Sequence, residues 1–302
     1  MNRVVPPLFV FLWSSAFIAA IIGVGAAPPL FLMFWRFAFA GVLLAVIALV
    51  LKAPWPRGRQ LAHVAVVGLL MQAVQFGALY SAIGLGLPGG VVALVQGFNP
   101  VVIALLAAGF LRERITRNQW LGFTVGGVGV LLAVSDRLGS SLGAVLLCVA
   151  GLLGLSLGTV YQKAFTPNVD VRTSTAVHFL VSAPALALAT LVLETPRVTH
   201  WGAFSASLTW IVLNSIATFL LLNLMLRRQA ASKVGTLFFL TPGVTALLAW
   251  LVVGQTLSLS AIIGLALGGV GVVVATVKPG ARATTGGTER ARPSTAVPSP
   301  TR

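Results

Sequence analysis

Charge is what this chain has least of: Asp, Glu, Lys and Arg make up 8% of 302 residues, and only 5 are acidic. Soluble domains carry about a quarter charged residues, because a wet surface must be covered by solvated groups. A chain that is 58% hydrophobic, with mean hydropathy +1.00, cannot cover itself that way, so most of its outer face must meet lipid. A soluble cytosolic enzyme is excluded. Cysteine is almost missing as well. Cys148 stands alone in an apolar run, which rules out an intrachain disulfide framework and any paired-cysteine metal motif. His63, His178 and His200 are scattered, so no metal cluster or nucleophile and base pair is legible. The expectation is a protein with no catalytic residues, no metal and no cofactor.

Apolar length is what the chain does have. A hydrocarbon core of about 30 Å needs about 20 apolar residues in a helix. Ten stretches qualify: Val5 to Ile22, Leu30 to Leu51, Leu61 to Gly84, Pro88 to Leu111, Asn118 to Ser135, Leu142 to Ala164, Thr173 to Leu193, Ala206 to Leu226, Ser232 to Val253, and Leu259 to Val277. They predict an all-α integral membrane protein with ten transmembrane spans, the first read as a span and not as a cleaved leader. From Pro279 the chain is rich in Pro, Gly, Ser and Thr without an apolar face, so 279–302 reads as a disordered tail.

A formal charge of +15 would suit nucleic acid, were the basic residues gathered in one stripe. They are not. With ten spans, Arg137 and Arg197 fall on one side and Arg36 within a span, while every other Lys and Arg falls on the opposite side. The positive-inside rule then puts both termini in the cytoplasm and the chain in a plasma membrane, that of the bacterial inner membrane type, with the lipid bilayer and no nucleic acid as partner. A monomer is expected.

The sequence also repeats itself. Pro100 and Pro242 set an offset of 142 residues, at which Val102 matches Val244, Leu105 matches Leu247, Gly122 matches Gly264, and Gly126 to Val130 match Gly268 to Val272. Phe37 pairs with Phe179 and Ser14 with Ser156 at the same offset. The repeat then covers five spans in each half, 1–136 and 137–278. An odd number of spans makes the second half enter the membrane inverted, an architecture whose substrate site lies between the halves. The unit containing Pro100, Leu105, Glu113, Arg114, Ile115, Thr116, Gln119, Gly122 and Gly129 resembles the EamA domain of the drug/metabolite transporter superfamily, and within it most closely the YddG aromatic amino acid exporters. That resemblance implies ten helices, a central cavity and export of amino acids or other metabolites. Gln255 departs from it, standing where the first copy has Glu113.

Polar residues at depth are expensive in a membrane and so mark candidate site positions. Trp13 and Ser14 lie well inside span 1. Gln72, Phe76 and Tyr80 recur every four residues along one face of span 3, with Gln75 beside them, and span 8 answers with Asn214 and Thr218. Gln96 and Asn99 precede Pro100, and Phe238 precedes Pro242. Each proline removes one backbone hydrogen bond, which frees a carbonyl for a substrate ammonium group or simply kinks the span. Arg36 in span 2 has His178 as its offset partner in span 7. Its planar fork suits a substrate carboxylate, and snorkelling to the outer interface is the competing account. For Trp13 the competing account is helix packing, for the amides interhelical hydrogen bonding, and for His178 a neutral ring bonded to a neighbouring helix.

Glu113, Asp136, Asp170, Glu194 and Glu289 all fall at loops, span ends or the tail, leaving no carboxylate at the midplane. Coupling through a buried acid is therefore disfavoured. The GGVGV runs lie inside apolar spans, where they read as close-packing surfaces of spans 5 and 10 and not as a dinucleotide loop. The reading overall is an alternating-access exporter or facilitator for small molecules, above all aromatic and other large neutral amino acids. Its rival is a proton-coupled, broad-specificity carrier of drugs or metabolites.

Overall fold

The computed structural model describes residues 4–110, 115–138, 141–228, 237 and 240–276, so Phe238, Glu113 and the tail from Pro279 lie outside the described residues. No strand occurs among those described. Helices α1 (Val5–Ala26) and α2 (Pro29–Val50) have 22 residues each, about 33 Å at 1.5 Å per residue, which is enough to cross a bilayer core. They are joined by Ala27 and Pro28. Pro29 opens α2 without an N–H of its own to satisfy, and Glu194 accepts the next two, from Leu30 at 3.0 Å and from Phe31 at 3.1 Å. A carboxylate at that end also meets the positive pole of the helix dipole.

The third span differs from the uniform helix its sequence predicts. It runs as α3 (Arg59–Gly68), a π-helical turn over Leu69–Val74, then α4 (Gln75–Gly84). The wide turn sits where two neighbours press closest: a Cβ on Gly68 would stand 2.6 Å from His178 Cα, and one on Gly154 would stand 2.9 Å from the Leu70 carbonyl. The Ser182 hydroxyl donates to the Gly68 carbonyl at 3.1 Å, satisfying an acceptor that the altered ladder frees.

The fourth span is broken into α5 (Gly89–Gly97) and α6 (Asn99–Phe110). Between them Phe98 makes a tight turn, its N–H donating to the Val95 carbonyl at 3.1 Å, because Pro100 has no N–H to carry the ladder through. The chain continues as α7 (Arg117–Leu138), α8 (Leu142–Phe165), α9 (Val171–Leu193) and α10 (Trp201–Arg228). It then enters α11 (Thr241–Val253) and α12 (Leu259–Thr276). Helix α11 begins with Leu240 as N-cap and Pro242 in its first turn, so the helices restart at Asn99 and Thr241, 142 positions apart.

Among the described residues, seven helical stretches are long and apolar enough to cross a membrane, and α11 and α12 are shorter apolar helices. The most extensive pairings are α7 with α12, α2 with α9, α1 with α10, α4 with α8, α1 with α11, and α5 with α11. The α7–α12 seam is built of glycine, as the GGVGV runs predict: Gly122 and Gly126 meet Gly271, and Gly129 meets Gly264 and Gly268, backbone against backbone. One apolar core joins α1, α2, α4, α5, α8, α9 and α10, with Leu32, Met33, Phe37, Leu79, Val92 and Ile211 fully buried. Leu188, Leu191, Val192 and Leu193 face outward, each at least 65% exposed, as a lipid-facing surface requires.

Candidate substrate site and family

Arg36 is carried by α2 about 10 Å along the helix from Pro29, and it is buried. Its Nη2 donates to the Ser215 hydroxyl of α10 at 3.2 Å, and its Nη1 reaches the Tyr80 hydroxyl of α4 at 3.5 Å and the Met33 sulfur at 3.9 Å. The guanidinium carbon lies 4.3 Å from the Phe76 ring centroid and 5.2 Å from that of Phe37. Nε is buried without a hydrogen-bond partner. Phe37 in turn packs edge-on to Phe76 at 5.9 Å and against Phe179 at 5.2 Å. The two acids whose side chains are described are elsewhere: Glu194 caps α2, and Asp170 caps α9 while pairing with Arg172 at 2.8 Å. Those hydrogen bonds from Arg172 hold the Asp170 carboxyl below the usual carboxylate range. Arg36, Phe76 and Tyr80 are thus brought together as one group, and Arg36 is held inside the bundle, not snorkelling.

A second group forms around the break in span 4. Ser156 of α8 shares its hydroxyl proton between Asn99 Oδ1 at 2.7 Å and the Leu152 carbonyl at 2.8 Å. Gln96 Nε2 donates to the Cys148 carbonyl at 3.4 Å, while Gln96 Oε1 is buried and unpartnered. Gln75 is buried nearby, its carbonyl 2.9 Å from where a Cβ on Gly151 would stand, and Gln72 lies half-buried in the π turn.

The third group surrounds the start of α11. Ser14 Oγ donates to the Thr241 carbonyl at 3.3 Å, and Asn214 Nδ2 donates to the Leu12 carbonyl at 2.7 Å. Asn214 Oδ1 and the hydroxyls of Thr241 and Thr245 are buried without partners. Thr218 spends its hydroxyl on the Asn214 carbonyl, 2.6 Å away. Trp13 packs at 5.6 Å from Phe9 in a satellite apolar cluster with Val10, Leu221, Leu237 and Val244. His178 is buried on α9 with Nε2 3.3 Å from Ser174 Oγ, a partner on its own helix.

A cavity of about 250 Å³ lies between α5, α7, α11 and α12, lined by Leu94, Phe98, Val130, Pro242, Leu265 and neighbouring glycines. Pro242, which the sequence marked as freeing a carbonyl in its span, lines it, and the polar and aromatic site candidates do not. Ser215 and Thr245 were not foreseen as site residues; Thr241, ahead of Pro242, is the offset equivalent of Asn99 that the sequence pointed to. Among the described residues, no three His, Cys, Asp or Glu side chains gather as a metal site would require.

Membrane-length apolar helices, a span broken at Phe98 beside Pro100, a helix that starts at Thr241 beside Pro242, and polar groups collected at those two helix starts together define a membrane transporter. The EamA-like transporter family model matches residues 8–135 and again 142–277. The chain belongs to that family. It is 27% identical over 198 residues to the uncharacterized transporter YyaM of Bacillus subtilis (strain 168), covering 61% of this chain and 63% of YyaM, so the match spans under two thirds of that relative. The uncharacterized transporter YvbV of the same organism is 27% identical over 236 residues, 74% of this chain and 75% of YvbV. Protein PecM of Dickeya dadantii (strain 3937) is 36% identical over 93 residues, 31% of each chain. A solved crystal structure superposes with a TM-score of 0.62 at 22% identity, covering 90% of this chain and 96% of its own, a likeness of fold.

Proposed function

We propose that this protein moves aromatic and other large neutral amino acids, or related metabolites, across a plasma membrane by alternating access between two inverted five-span repeats, 1–136 and 137–278, with both termini cytoplasmic. The observation that carries this reading is the matched pair of helix starts beside Pro100 and Pro242. Helices restart at Asn99 and at Thr241, and each restart is met by the equivalent serine, Ser156 on one side and Ser14 on the other. Exchanging each span with the one five positions on also maps the pairings of spans 1 with 8 and 3 with 6 onto each other, while 2 with 7, 4 with 9 and 5 with 10 map onto themselves. A two-fold related pair of halves gives a carrier two equivalent closures, one for each side of the membrane.

The aromatic preference rests on Phe37 and Phe76, whose rings adjoin Arg36, with Phe179 packed on Phe37 and Tyr80 on Phe76. A substrate that buries about 100 Å² more apolar surface than alanine gains roughly 2.5 kcal/mol before entropy losses. Liposomes carrying the full-length protein, loaded with unlabelled phenylalanine and held at equal pH on both faces, are expected to take up labelled phenylalanine. Phenylalanine and tryptophan should compete better than alanine or glutamate. Uptake that needs a pH difference, or equal competition by all four, refutes this reading.

A further inference from the structure

We propose that the substrate is recognised through its carboxylate alone, so that the Arg36 site takes an aromatic monocarboxylate lacking the α-ammonium group. This rests on the transporter reading above and selects, within it, the related metabolites over the amino acids. Arg36 is a permanent cation, because a guanidinium does not lose its proton in proteins. It is buried, its Nε–H is unspent, and its other contacts are neutral: two hydroxyls, a thioether and two aromatic rings. A buried charge left without a counterion is costly, and removing that cost is what a bound anion does. The Nε and Nη2 hydrogens share one edge of the fork, which is the edge that grips a carboxylate with two parallel bonds. Ser215 holds Nη2 at that edge and has given its own proton to the Ile211 carbonyl, 2.7 Å away, so it orients the guanidinium and leaves it charged. The Phe37 and Phe76 rings stand over the same guanidinium and the Tyr80 hydroxyl meets it, so an aryl group attached to that carboxylate would lie among them.

Among the described residues no carboxylate stands at this site to receive an ammonium group. An α-amino acid carries its ammonium one carbon from its carboxylate, so both must fall among the same side chains. Asp170 and Glu194, the acids whose side chains are described, are committed at the starts of α9 and α2. The neighbour an ammonium would meet is Arg36 itself, and like charges at contact distance in a shielded site repel by far more than thermal energy. The carbonyl side of the candidate site, at Gln96 and Cys148, belongs to α5 and α8 and not to the α2, α4 and α10 walls of the Arg36 group.

The test is a matched series on one ring: 3-phenylpropionate, phenylalanine and 2-phenylethylamine, bound to the purified full-length protein and competed in liposome exchange. Phenylpropionate is expected to bind about tenfold or more tighter than phenylalanine, and phenylethylamine not to compete. Arg36→Gln is expected to lose phenylpropionate binding. Since that variant risks misfolding, Tyr80→Phe serves beside it: it should weaken phenylpropionate several-fold and leave thermal unfolding of the empty protein unchanged. Phenylalanine binding as tightly as phenylpropionate, or Arg36→Gln binding phenylpropionate like the wild type, overturns the inference. Phenylalanine exchange without phenylpropionate binding overturns it and leaves the amino acid transporter reading intact, whereas no exchange of any member refutes both.

Discussion

Alanine in the glycine seam between α7 and α12 isolates what holds one side of the bundle together. A Cβ on Gly129 would lie 2.7 Å from the Gly264 carbonyl oxygen and 3.1 Å from Gly268 Cα, both of them backbone atoms that no side-chain rotation can move away. The nearest atom is the Gly268 backbone nitrogen at 2.5 Å, and ordinary contact begins at 3.4 Å, so Gly129→Ala must part the helices by about 0.9 Å, the difference between 3.4 and 2.5 Å. A gap of that size forfeits roughly a quarter or more of each contact's dispersion energy along the seam. Overpacking of this kind costs about 1–3 kcal/mol. Gly269→Ala is the control, since it lies on the same helix pair and a Cβ there meets nothing within 4 Å. Both substitutions gain up to about 1 kcal/mol of helix propensity, which cancels in the comparison. Unfolding in detergent, followed by loss of helicity, should find Gly129→Ala less stable than Gly269→Ala by about 1–3 kcal/mol. Indistinguishable curves would refute a seam held by backbone contact.

Two further outcomes follow from charge. Asp170 ionises below the usual carboxylate range when folded, so its stabilisation is present above the unfolded value and is lost as pH falls through the folded one. The wild type should therefore exceed Asp170→Asn by at most about 1 kcal/mol at neutral pH, discounted for solvent screening, and by nothing well below the carboxylate range; an advantage that persists in acid contradicts this. If an anion crosses while Arg36 stays with the protein, one negative charge moves per cycle. Phenylpropionate uptake into liposomes should then respond to a potassium diffusion potential by about 2.3 kcal/mol per 100 mV, inside-positive favouring entry, while insensitivity to potential counts against net anion movement.

Helix positions were legible because apolar length is a strong signal. The chain needs a span's worth of apolar residues wherever it crosses lipid, and the turns are marked by pairs such as Pro28 and Pro29 or by Gly254, whose φ of +65° suits glycine. The glycine seam was legible for a similar reason, since small residues at four-residue spacing have one efficient use between helices. The π turn in span 3 was not. It arises from the closeness of Gly68 to α9 and of Gly154 to the Leu70 carbonyl, and those contacts join residues more than 80 positions apart. Local propensity over Leu69–Val74 contains nothing that forbids an ordinary helix.

The site shows the same division between composition and proximity. Polar side chains in apolar runs can be listed from sequence, and Arg36, Phe76 and Tyr80 were listed separately, but the fact that they converge is a property of how α2, α4 and α10 cross. Ser215 was passed over because it is adjacent to Asn214, and neighbours one apart on a helix point in different directions: Asn214 turns to the Leu12 carbonyl of α1, Ser215 to Arg36 of α2. Gln255 shows how far the repeat carries information. It stands at the position of Glu113, and its Oε1 accepts the N–H of Gly89 at 3.0 Å, at the first residue of α5. A helix start requires an acceptor there and does not require a charge, so an amide replaces the acid without altering the geometry. By the same reasoning the acids of this chain need not lie on the transport path. Glu194 and Asp170 are committed to helix starts. Among the described residues no carboxylate stands beside Arg36, which is why its counter-charge is assigned to an incoming ligand.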